Sequence, residues 1–397
     1  MKKILFLGGA HMQLPPIEYA VNSGYHVITC DYLPDNPGHE IAHEYFNIST
    51  TDKEGVLKLA ERKKINGIVA YASDPAAPTA AYVAEKLNLP GNPYESVNIL
   101  ARKDLFRSFL IENGFNTPKN SVFRKLEDAI EWCSEVKFPL IMKPVDSSGS
   151  KGVSLLKNKA ELRSLFNDAL SYSFSGKVII EEYIEKSGYQ IDSDVFLLDG
   201  ELIFWYWGDQ HQDKECNPHA PIGISFPTML SKNHQVLAAS EIERLLKLLN
   251  MKTGAFNVEF FFDSTGKIWI IEIGPRNGGN LIPEVIREST GIDLIKMTVD
   301  AAVSNKTAIQ KFSNPTICCA SYILHAKKDG ILEEIKISEK IKKKTIKYNQ
   351  YKKIGDMVKK YKNSQDSIGS MIIKFSNIDE MSQIMTNAED FIDVKVS

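Results

Sequence analysis

The chain has 397 residues, of which 43% are hydrophobic and 25% are charged, and its formal net charge is −2. This length predicts two or three domains, and the composition is typical of a soluble globular protein. The nearly balanced charge gives no overall field for nucleic acid or a membrane surface, so we expect neither as a partner.

The sequence predicts neither a targeting segment nor a disulfide framework. Apolar runs such as Val258–Phe262 are far shorter than a membrane-spanning helix. The apolar segment Ile4–Leu7 ends at a Gly-Gly pair, too early for a signal peptide. The five cysteines form no Cys-x-x-Cys pair and leave an odd count. We therefore expect a reduced, cytoplasmic protein whose thiols are mostly small apolar fillers.

The first hundred residues alternate short β runs with helical stretches. We predict strands at 3–7, 26–30 and 67–71 and helices near 16–23, 52–64 and 79–87. This alternation predicts an α/β, Rossmann-like domain over residues 1–105 with a parallel sheet. The ligand edge of such a sheet lies at the carboxyl ends of its strands, which are followed here by Gly8, Gly9, Asp31 and Asp74. The Gly-x-Gly-x-x-Gly fingerprint is absent, so this is not an obvious NAD site.

Residues 106–304 alternate runs of strands with single helices, which predicts an α+β domain. Its predicted helices are 103–113 and 235–249, and its strands are 139–144, 153–156, 178–182, 191–198, 202–207 and a hairpin over 257–272. We interpret residues 208–223 as a polar loop. Weaker signals predict a small α+β domain over 305–397. Its segment 336–362 carries eleven lysines against two acids, which we interpret as a solvated surface because regularly spaced stacking aromatics are missing.

Two glutamates in the predicted hairpin form the strongest chemical signal. If the loop is symmetric about its Thr-Gly centre, Glu259 and Glu272 lie opposite each other with Cβ atoms about 5 Å apart. Two facing carboxylates repel, and a divalent cation between them removes the repulsion. Apolar neighbours predict a core on the opposite face: Phe260, Ile271 and Ile273. We predict Mg²⁺ binding; the alternative is an asymmetric loop with one solvated glutamate.

The segment Gly274–Asn280 follows the second glutamate and contains three glycines and a proline. Arg276 stands four residues after Glu272, within reach of a transferring phosphoryl group or a substrate carboxylate, which an arginine binds through two parallel hydrogen bonds. Considered alone, the segment is explained equally by an ordinary loop that follows a strand. Beside the glutamate pair we predict a functional loop, with Gly278, Gly279 and Asn280 as further substrate contacts.

Two more segments carry weaker signals for nucleotide binding. Lys143 lies near the end of an apolar strand and must find an anion or water. The Gly/Ser-rich loop Asp146–Gly152 can wrap backbone N–H groups around phosphate oxygens, although it is not a Walker A loop. A plain turn explains it about equally well. Likewise, Val178–Ile184 is either an adenine-lining segment or a strand that reaches solvent with two surface glutamates.

Taken in order, these motifs resemble the ATP-grasp superfamily over about residues 1–300. The segments GGAHMQLPPI, CDYLPDNPG and ARKDL are similar to the N-terminal domain of biotin carboxylase, carbamoyl-phosphate synthetase and purine-pathway members. The resemblance implies a Rossmann-like N-terminal domain, ATP-grasp central domains and a small α+β C-terminal domain. It also implies ATP and Mg²⁺ as cofactors, with Mn²⁺ as an alternative metal.

The resemblance implies a role for each matching residue. ATP phosphates would contact Lys103 and Lys143 beneath a flap that contains Ser147, Ser148, Gly149, Ser150 and Gly152. The adenine hinge would be Glu181, Glu182, Tyr183 and Ile184, with backbone groups of Glu182 and Ile184 at the base edge and Phe261 on the far side of the ring. Glu259 and Glu272 would hold Mg²⁺, and Arg276 would steady the transferred phosphoryl group and the acyl-phosphate.

The sequence departs from the family pattern at two positions. Gln190 replaces a glutamate that often binds ribose, so we expect a weaker ribose contact. Gly274 stands where many members have an asparagine that binds a second metal ion. The resulting pattern, Glu-x-Gly-x-Arg-x-Gly-Gly, resembles the L-amino acid ligase branch. In that branch the loop before the metal-binding strands shapes the substrate pocket.

In this chain that loop carries Trp207, Asp209, His211, Asp213, Cys216 and His219. We assign Asp209 and His211 to substrate binding. A zinc site of His211, Cys216 and His219 is the alternative, and its irregular spacing argues against it.

The resemblance implies a ligase that phosphorylates a carboxylate with ATP and couples the acyl-phosphate to an amine, without a covalent protein nucleophile. We expect a small-molecule carboxylate and amine as partners, and a homodimer. Two alternatives stay open: a bicarbonate-using carboxylase or carbamoyl-phosphate-type enzyme, and a nucleotide-binding protein without catalysis. The aromatic, polar segment 205–226 favours a substrate larger than bicarbonate. The joint presence of Lys143, Glu259, Glu272 and Arg276 favours catalysis.

Overall fold

The computed structural model describes residues 1–305 and 317–397. Its first segment contains strands β1 (Lys3–Leu7), β2 (His26–Cys30), β3 (Glu44–Phe46) and β4 (Gly67–Ala70), and helices α1 (Leu14–Asn22), α2 (Gly38–Ile41), α3 (Lys53–Lys63), α4 (Ala77–Lys86) and α5 (Tyr94–Ala101). The strands are parallel in the order β3-β2-β1-β4. The predicted Rossmann-like sheet is therefore confirmed. Because the strand order reverses at β1, the loops after β1 and β4 flank a crevice at the edge where such sheets bind ligands.

The middle segment begins with a small antiparallel sheet. It comprises helices α6 (Lys103–Glu112), α7 (Leu126–Trp132) and α8 (Leu162–Ser171), and strands β5 (Asn120–Phe123), β6 (Leu140–Pro144), β7 (Ser154–Leu156) and β8 (Val178–Glu182). The strand order is β5-β8-β6-β7. Leu140, Val178 and Phe166 are almost fully buried in the shared core of this sheet and α8. The sheet therefore presents the ends of β6 and β8 as a rigid wall.

The next elements build a larger sheet. They are β9 (Ile191–Leu198), β10 (Glu201–Phe204), β11 (Gly208–Gln212), β12 (Pro221–Phe226), α9 (Lys232–Leu248), β13 (Gly254–Phe262), β14 (Ile268–Gly274), α10 (Ile282–Thr290) and α11 (Leu294–Ala301). The prediction of a polar loop at 208–223 is wrong, because β11 and β12 pair as antiparallel strands within that range. The residues of β11 are polar but mostly buried. Their side chains bond to neighbouring strands, so no apolar alternation marks the strand in the sequence.

The last segment continues the same sheet. Its elements are β15 (Cys318–Leu324), β16 (Gly330–Ile337), α12 (Glu339–Lys342), β17 (Thr345–Gln350), β18 (Met357–Val358), β19 (Gly369–Phe375), α13 (Ile378–Thr386) and β20 (Ile392–Val396). β12 pairs with β15, which gives the order β14-β13-β9-β11-β12-β15-β19-β17, while β18-β16-β20 form a small separate sheet. The domain boundaries after residues 105 and 304 stay predictions, and residues 306–316 of the predicted third domain lie outside the described residues.

The lysines of segment 336–362 are all exposed or half-exposed, as a solvated surface requires. In the part of the chain that the structure describes, every helix is too short or too polar to traverse a membrane.

Candidate active site

The three segments meet around a cleft of about 720 Å³. Most of the predicted site residues line it: Lys103, Lys143, Ser147, Ser148, Gly149, Ser150, Glu181, Glu182, Tyr183, Ile184, Gln190, Glu259, Phe261, Glu272, Arg276, Gly279 and Asn280. The structure thus brings together side chains from distant parts of the sequence. The predicted residues that do not line the cleft are Gly152, Asp209, His211 and Gly278.

Glu259 and Glu272 lie directly opposite each other on β13 and β14, which confirms the predicted cross-strand pair. The predicted hairpin differs from the structure in two details, and their effects on the pairing of the two glutamates cancel. The strands close symmetrically around Thr265, and a β-bulge next to Glu259 then adds one residue to β14. As a consequence, Ile271 is only half-buried and lines the cleft, rather than facing the core as predicted.

A third carboxylate extends this pair into a row. Asp192 on β9 pairs with Glu259, so both side chains lie on the same face of the sheet. Burial raises the pKa of Asp192 to about 6. Burial also raises the pKa of Glu259 well above its usual value, and the charges of Asp192 and Glu272 raise it further. Either protons or a cation must offset this charge, and an all-oxygen donor set fits Mg²⁺.

Sequence reasoning missed Asp192, although Asp192 and Asp194 occupy alternate positions in β9 and could have signalled a polar face. Gln190, just before β9, donates from Nε2 to Glu259 Oε2 over 2.7 Å. One N–H of this amide therefore orients a predicted metal ligand, and its oxygen and second N–H remain for a ribose hydroxyl.

Lys103 connects the flap to the carboxylate row. Its Nζ donates to the carbonyl of Ser147 over 2.8 Å and lies 3.2 Å from Glu272 Oε2. The flap also contacts the other side of the cleft, because Ser150 Oγ donates to the carbonyl of His219 over 2.8 Å. Gly149 has φ +68°, and a Cβ there would lie 2.7 Å from Ser364 Oγ. The flap therefore covers the cleft through contacts that a larger residue at Gly149 would disturb.

Glu181 lies in a buried ion cluster. Its two carboxylate oxygens are each 2.6 Å from a cation, Arg107 Nε on one side and Lys143 Nζ on the other. Burial alone would raise the pKa of Glu181, but the two positive charges outweigh it and lower the pKa to about 2. Arg107 also donates to the carbonyl of the bulged Ile271 over 2.9 Å. Sequence reasoning missed Arg107, whose signal was a charge on the buried face of α6.

The rest of the predicted hinge borders the cleft: Glu182 ends β8, and Tyr183 and Ile184 follow it without regular structure. Glu182 is exposed, and its N–H donates to the carbonyl of Lys119 over 2.8 Å. That N–H is therefore not free for a base edge. Tyr183 and Ile184 follow along the cleft wall, and Phe261 lines the same space.

Arg276 is held in place by the first segment. Its Nη2 donates to Asp74 Oδ2 over 2.6 Å, and its Nη1 donates to Asn257 Oδ1 over 3.0 Å. The following loop is anchored by Asp194, whose two oxygens accept from the N–H of Gly278 at 2.8 and 2.9 Å. A Cβ at Gly278 would lie 2.8 Å from Asp194 Oδ1, so only glycine fits. Gly278 therefore shapes the loop with its amide and does not offer that amide to a ligand.

Asp209 and His211 point to the other face of the sheet. Asp209 accepts from Thr228 Oγ1 at 2.5 Å and from the N–H of Met229 at 2.8 Å. His211 Nε2 lies 2.9 Å from Ser225 Oγ. Burial raises the pKa of Asp209 to about 6 and lowers that of His211 to about 4. Gln212, also in β11, lines the cleft, whereas Asp209 and His211 do not.

The alternative zinc set is not assembled. In the described part of the chain, His211, Cys216 and His219 form no metal-ligating group, and Cys216 lies near Asp213 and His325 instead.

A smaller cavity of about 360 Å³ adjoins the cleft, and Met12 and Gly279 line both spaces. It lies at the carboxyl ends of β1 and β4, the crevice that the strand order predicts. Glu284 is 3% exposed and lies 3.4 Å from Lys347 Nζ. The hydroxyl of Tyr71 also borders this cavity and is buried without a partner among the described residues.

Comparisons with known proteins agree with this architecture. Residues 136–284 match the family model described as an ATP-grasp domain. The chain is 25% identical over 259 residues to the carbamoyl phosphate synthase large chain of Thermoanaerobacter pseudethanolicus, which covers 64% of this chain and 23% of that protein. The chain therefore spans about a quarter of the length of this curated relative.

Two solved structures share the fold over the whole chain. The L-amino acid ligase of Bacillus licheniformis has a TM-score of 0.84 at 21% identity and covers 100% of this chain and 99% of its own. The biotin carboxylase domain of 2-oxoglutarate carboxylase from Hydrogenobacter thermophilus, solved as a dimer with MgADP and bicarbonate, has a TM-score of 0.76 at 17% identity and covers 100% and 91%. Residues 136–284 of the chain therefore form an ATP-grasp domain, as the motifs predicted.

Proposed function

We propose that this protein is a Mg²⁺- and ATP-dependent ligase that joins a carboxylate to an amine and releases ADP and phosphate. One observation carries the proposal: the carboxylate row of Asp192, Glu259 and Glu272 shares a single cleft with Lys143 and Arg276. Anionic and cationic groups that line one space suit a metal–nucleotide complex, whose phosphates need both kinds of partner.

Each group has a distinct task in this proposal. Lys103 and Lys143 hold phosphate oxygens, and the flap over residues 147–152 excludes water from the acyl-phosphate. Mg²⁺, when bound to Glu259 and Glu272, would supply charge neutralisation at the phosphates. The base would occupy the space between the hinge at 182–184 and Phe261. The ion pair of Glu181 with Lys143 keeps the lysine charged although burial lowers its pKa.

The reaction has two displacement steps. A carboxylate oxygen of the first substrate attacks the γ-phosphorus, and ADP leaves. The neutral amine of the second substrate then attacks the acyl carbon, inorganic phosphate leaves, and the amine proton passes to phosphate or water. Arg276 faces the cleft and would stabilise the charge on the transferred group with its planar fork of donors.

The smaller cavity supports an amino-acid-sized substrate. Buried Glu284 and the unpartnered hydroxyl of Tyr71 would bind an ammonium group, and Lys347 would bind a carboxylate. A substrate in this cavity reaches the cleft past Gly279, next to the arginine loop. Its volume of about 360 Å³ is more than a bicarbonate ion needs.

A bicarbonate-using enzyme is the second candidate. The similarity to carbamoyl phosphate synthase and the bicarbonate bound to the structurally similar biotin carboxylase domain favour it. We also propose a homodimer, by analogy with the dimer of that domain. Light scattering of the purified chain would determine its mass in solution.

A substrate screen tests the proposed activity. The purified protein is incubated with ATP, Mg²⁺ and pairs of amino acids or other small carboxylates and amines, and ADP release is measured with mass spectrometry of the products. The proposal expects ADP release that depends on both substrates, and a product with a new amide bond. ADP release with bicarbonate alone supports the second candidate. Nucleotide binding without any ADP release would contradict both.

A further inference from the structure

Three metal-ligating side chains converge outside the cleft, at a place that the proposed ligase reaction does not use. Asp213 and Cys216 lie in the connection between β11 and β12, and His325 follows β15. One ligand atom of each lies within 4.8 Å of the others. The side chains of Asp213 and His325 are only 10% and 5% exposed, and Cys216 is half-buried. Tetrahedral zinc holds its ligand atoms roughly 3–4 Å apart, so small side-chain rotations would close this set around an ion.

The hydrogen bonds of His325 constrain its protonation. Nδ1 lies 2.7 Å from the carbonyl of Ile323, which can only accept, so Nδ1 carries a hydrogen. In the neutral ring Nε2 then has a lone pair, and this lone pair faces Asp213 Oδ2 at 3.1 Å. Two acceptors face each other there. Either a second proton on His325 or a metal ion between the two atoms removes the conflict.

The carboxylate of Asp213 is also oriented for an external cation. Its Oδ1 accepts from the N–H groups of Glu215 at 2.8 Å and Cys216 at 3.2 Å. The turn thereby directs Oδ2 towards His325 and brings the Cys216 side chain to the same side. A backbone carbonyl behind the histidine and backbone N–H groups behind the carboxylate are the supports that metal ligands commonly have.

We propose that Asp213, Cys216 and His325 bind a zinc-type divalent cation. A thiolate and an imidazole favour zinc over Mg²⁺, whereas the all-oxygen row in the cleft favours Mg²⁺. The charges of one carboxylate and one thiolate balance a divalent ion, and binding releases the thiol proton of Cys216 to solvent. Asp213 and His325 border a cavity of about 1050 Å³, from which water completes the fourth position.

This ion would fasten the β11–β12 connection to the segment after β15. The same connection carries His219, whose carbonyl accepts from Ser150 of the flap. The competing account is an ion pair of protonated His325 with Asp213, with Cys216 as a filler whose Sγ lies 3.7 Å from the carbonyl of Ala326.

Zinc binding to the full-length, reduced and metal-stripped protein distinguishes these accounts. Zn²⁺ is titrated in competition with a chromophoric chelator. The proposal expects one tight site that is weakened about a hundredfold or more in both Cys216→Ser and His325→Gln. Cys318→Ser is the matched control, since Cys318 is also half-buried, and it should bind as wild type does.

Cobalt supplies an independent readout. Co²⁺ at this site should give a thiolate-to-metal charge-transfer band in the near ultraviolet that is lost in Cys216→Ser and kept in Glu272→Gln. Circular dichroism establishes that each variant is folded, and an unfolded variant is replaced by Asp213→Asn. Zinc affinity that is equal in wild type and the ligand variants, or the absence of the cysteine-dependent band, would overturn the proposal. Neither result bears on the ligase activity.

Discussion

Asp74 and Arg276 form an ion pair of 2.6 Å although 202 positions separate them in the sequence. Asp74 follows β4 at the ligand edge of the first sheet, and Arg276 follows β14 beside the carboxylate row. Burial would raise the pKa of Asp74, but the charge of Arg276 outweighs it and lowers that pKa. The first segment thus positions the arginine that we place at the transferred phosphoryl group.

Replacing Arg276 by lysine should lower kcat more than it weakens ATP binding. Lysine keeps the charge but loses the planar fork, and one such transition-state contact is worth about 3 kcal/mol, or about a hundredfold in rate. Steady-state kinetics and an ATP-binding titration would measure the two effects. The exposed Arg287→Lys is the control. Turnover of Arg276→Lys within about threefold of wild type would mean that Arg276 only pairs with Asp74.

Glu272→Gln and Glu259→Gln should each abolish turnover and leave the fold intact. The amide has the shape of the carboxylate but no charge for Mg²⁺. Activity is measured over a range of Mg²⁺ concentrations, with Glu201→Gln as the control because this glutamate is largely exposed. If saturating Mg²⁺ restored near-wild-type rates, the two glutamates would not be the metal ligands.

Glu181→Ala should destabilise the protein strongly, whereas its neighbour Glu182→Ala should not. Removal of Glu181 leaves Arg107 and Lys143 buried without their partner, which costs about 3–5 kcal/mol. Glu182 is exposed, and its substitution should cost less than about 0.5 kcal/mol. Urea unfolding at fixed pH measures both. Equal free energies of unfolding for the two variants would contradict the buried cluster.

Asp209→Asn should change the pH dependence of stability. The pKa of Asp209 is raised to about 6 in the folded protein, so its protonated form is favoured there. The stability that this group contributes is present below its unfolded pKa and is lost as pH rises through about 6. The loss is at most about 3 kcal/mol. The variant should therefore gain stability relative to wild type between pH 4 and 7, as the folded pKa of about 6 implies.

Urea unfolding of wild type and Asp209→Asn across this range gives the difference directly. A constant difference in the free energy of unfolding would show that Asp209 does not titrate in this window. The same variant tests the predicted substrate role of Asp209. Its carboxylate bonds to Thr228 and Met229 away from the cleft, so KM for the substrates should stay unchanged.

Local patterns were sufficient for much of the site. The spacing of Glu259 and Glu272 around a hairpin turn predicted their pairing, and the first sheet followed from alternating strands and helices. Arg107 and Asp192 were missed because their burial depends on partners that are distant in sequence. Charged residues in a helix or a strand usually indicate a surface, and only the folded chain brings Glu181 to Arg107.

Strand β11 shows the same limit. Asp209, Gln210 and His211 have no apolar alternation, so a loop was the natural prediction. Their burial is offset by hydrogen bonds with β9, β12 and the residues after β12. The sequence of β11 alone therefore contains no pattern from which these bonds could be predicted.

Transfer of oxygen from the carboxylate substrate to phosphate tests the central claim most directly. A substrate pair that supports ADP release is used with ¹⁸O in both carboxylate oxygens, and the released phosphate is analysed by mass spectrometry. Acyl-phosphate formation in the cleft with Arg276 and the carboxylate row predicts one ¹⁸O atom in each phosphate formed. Amide product accompanied by unlabelled phosphate would contradict the account.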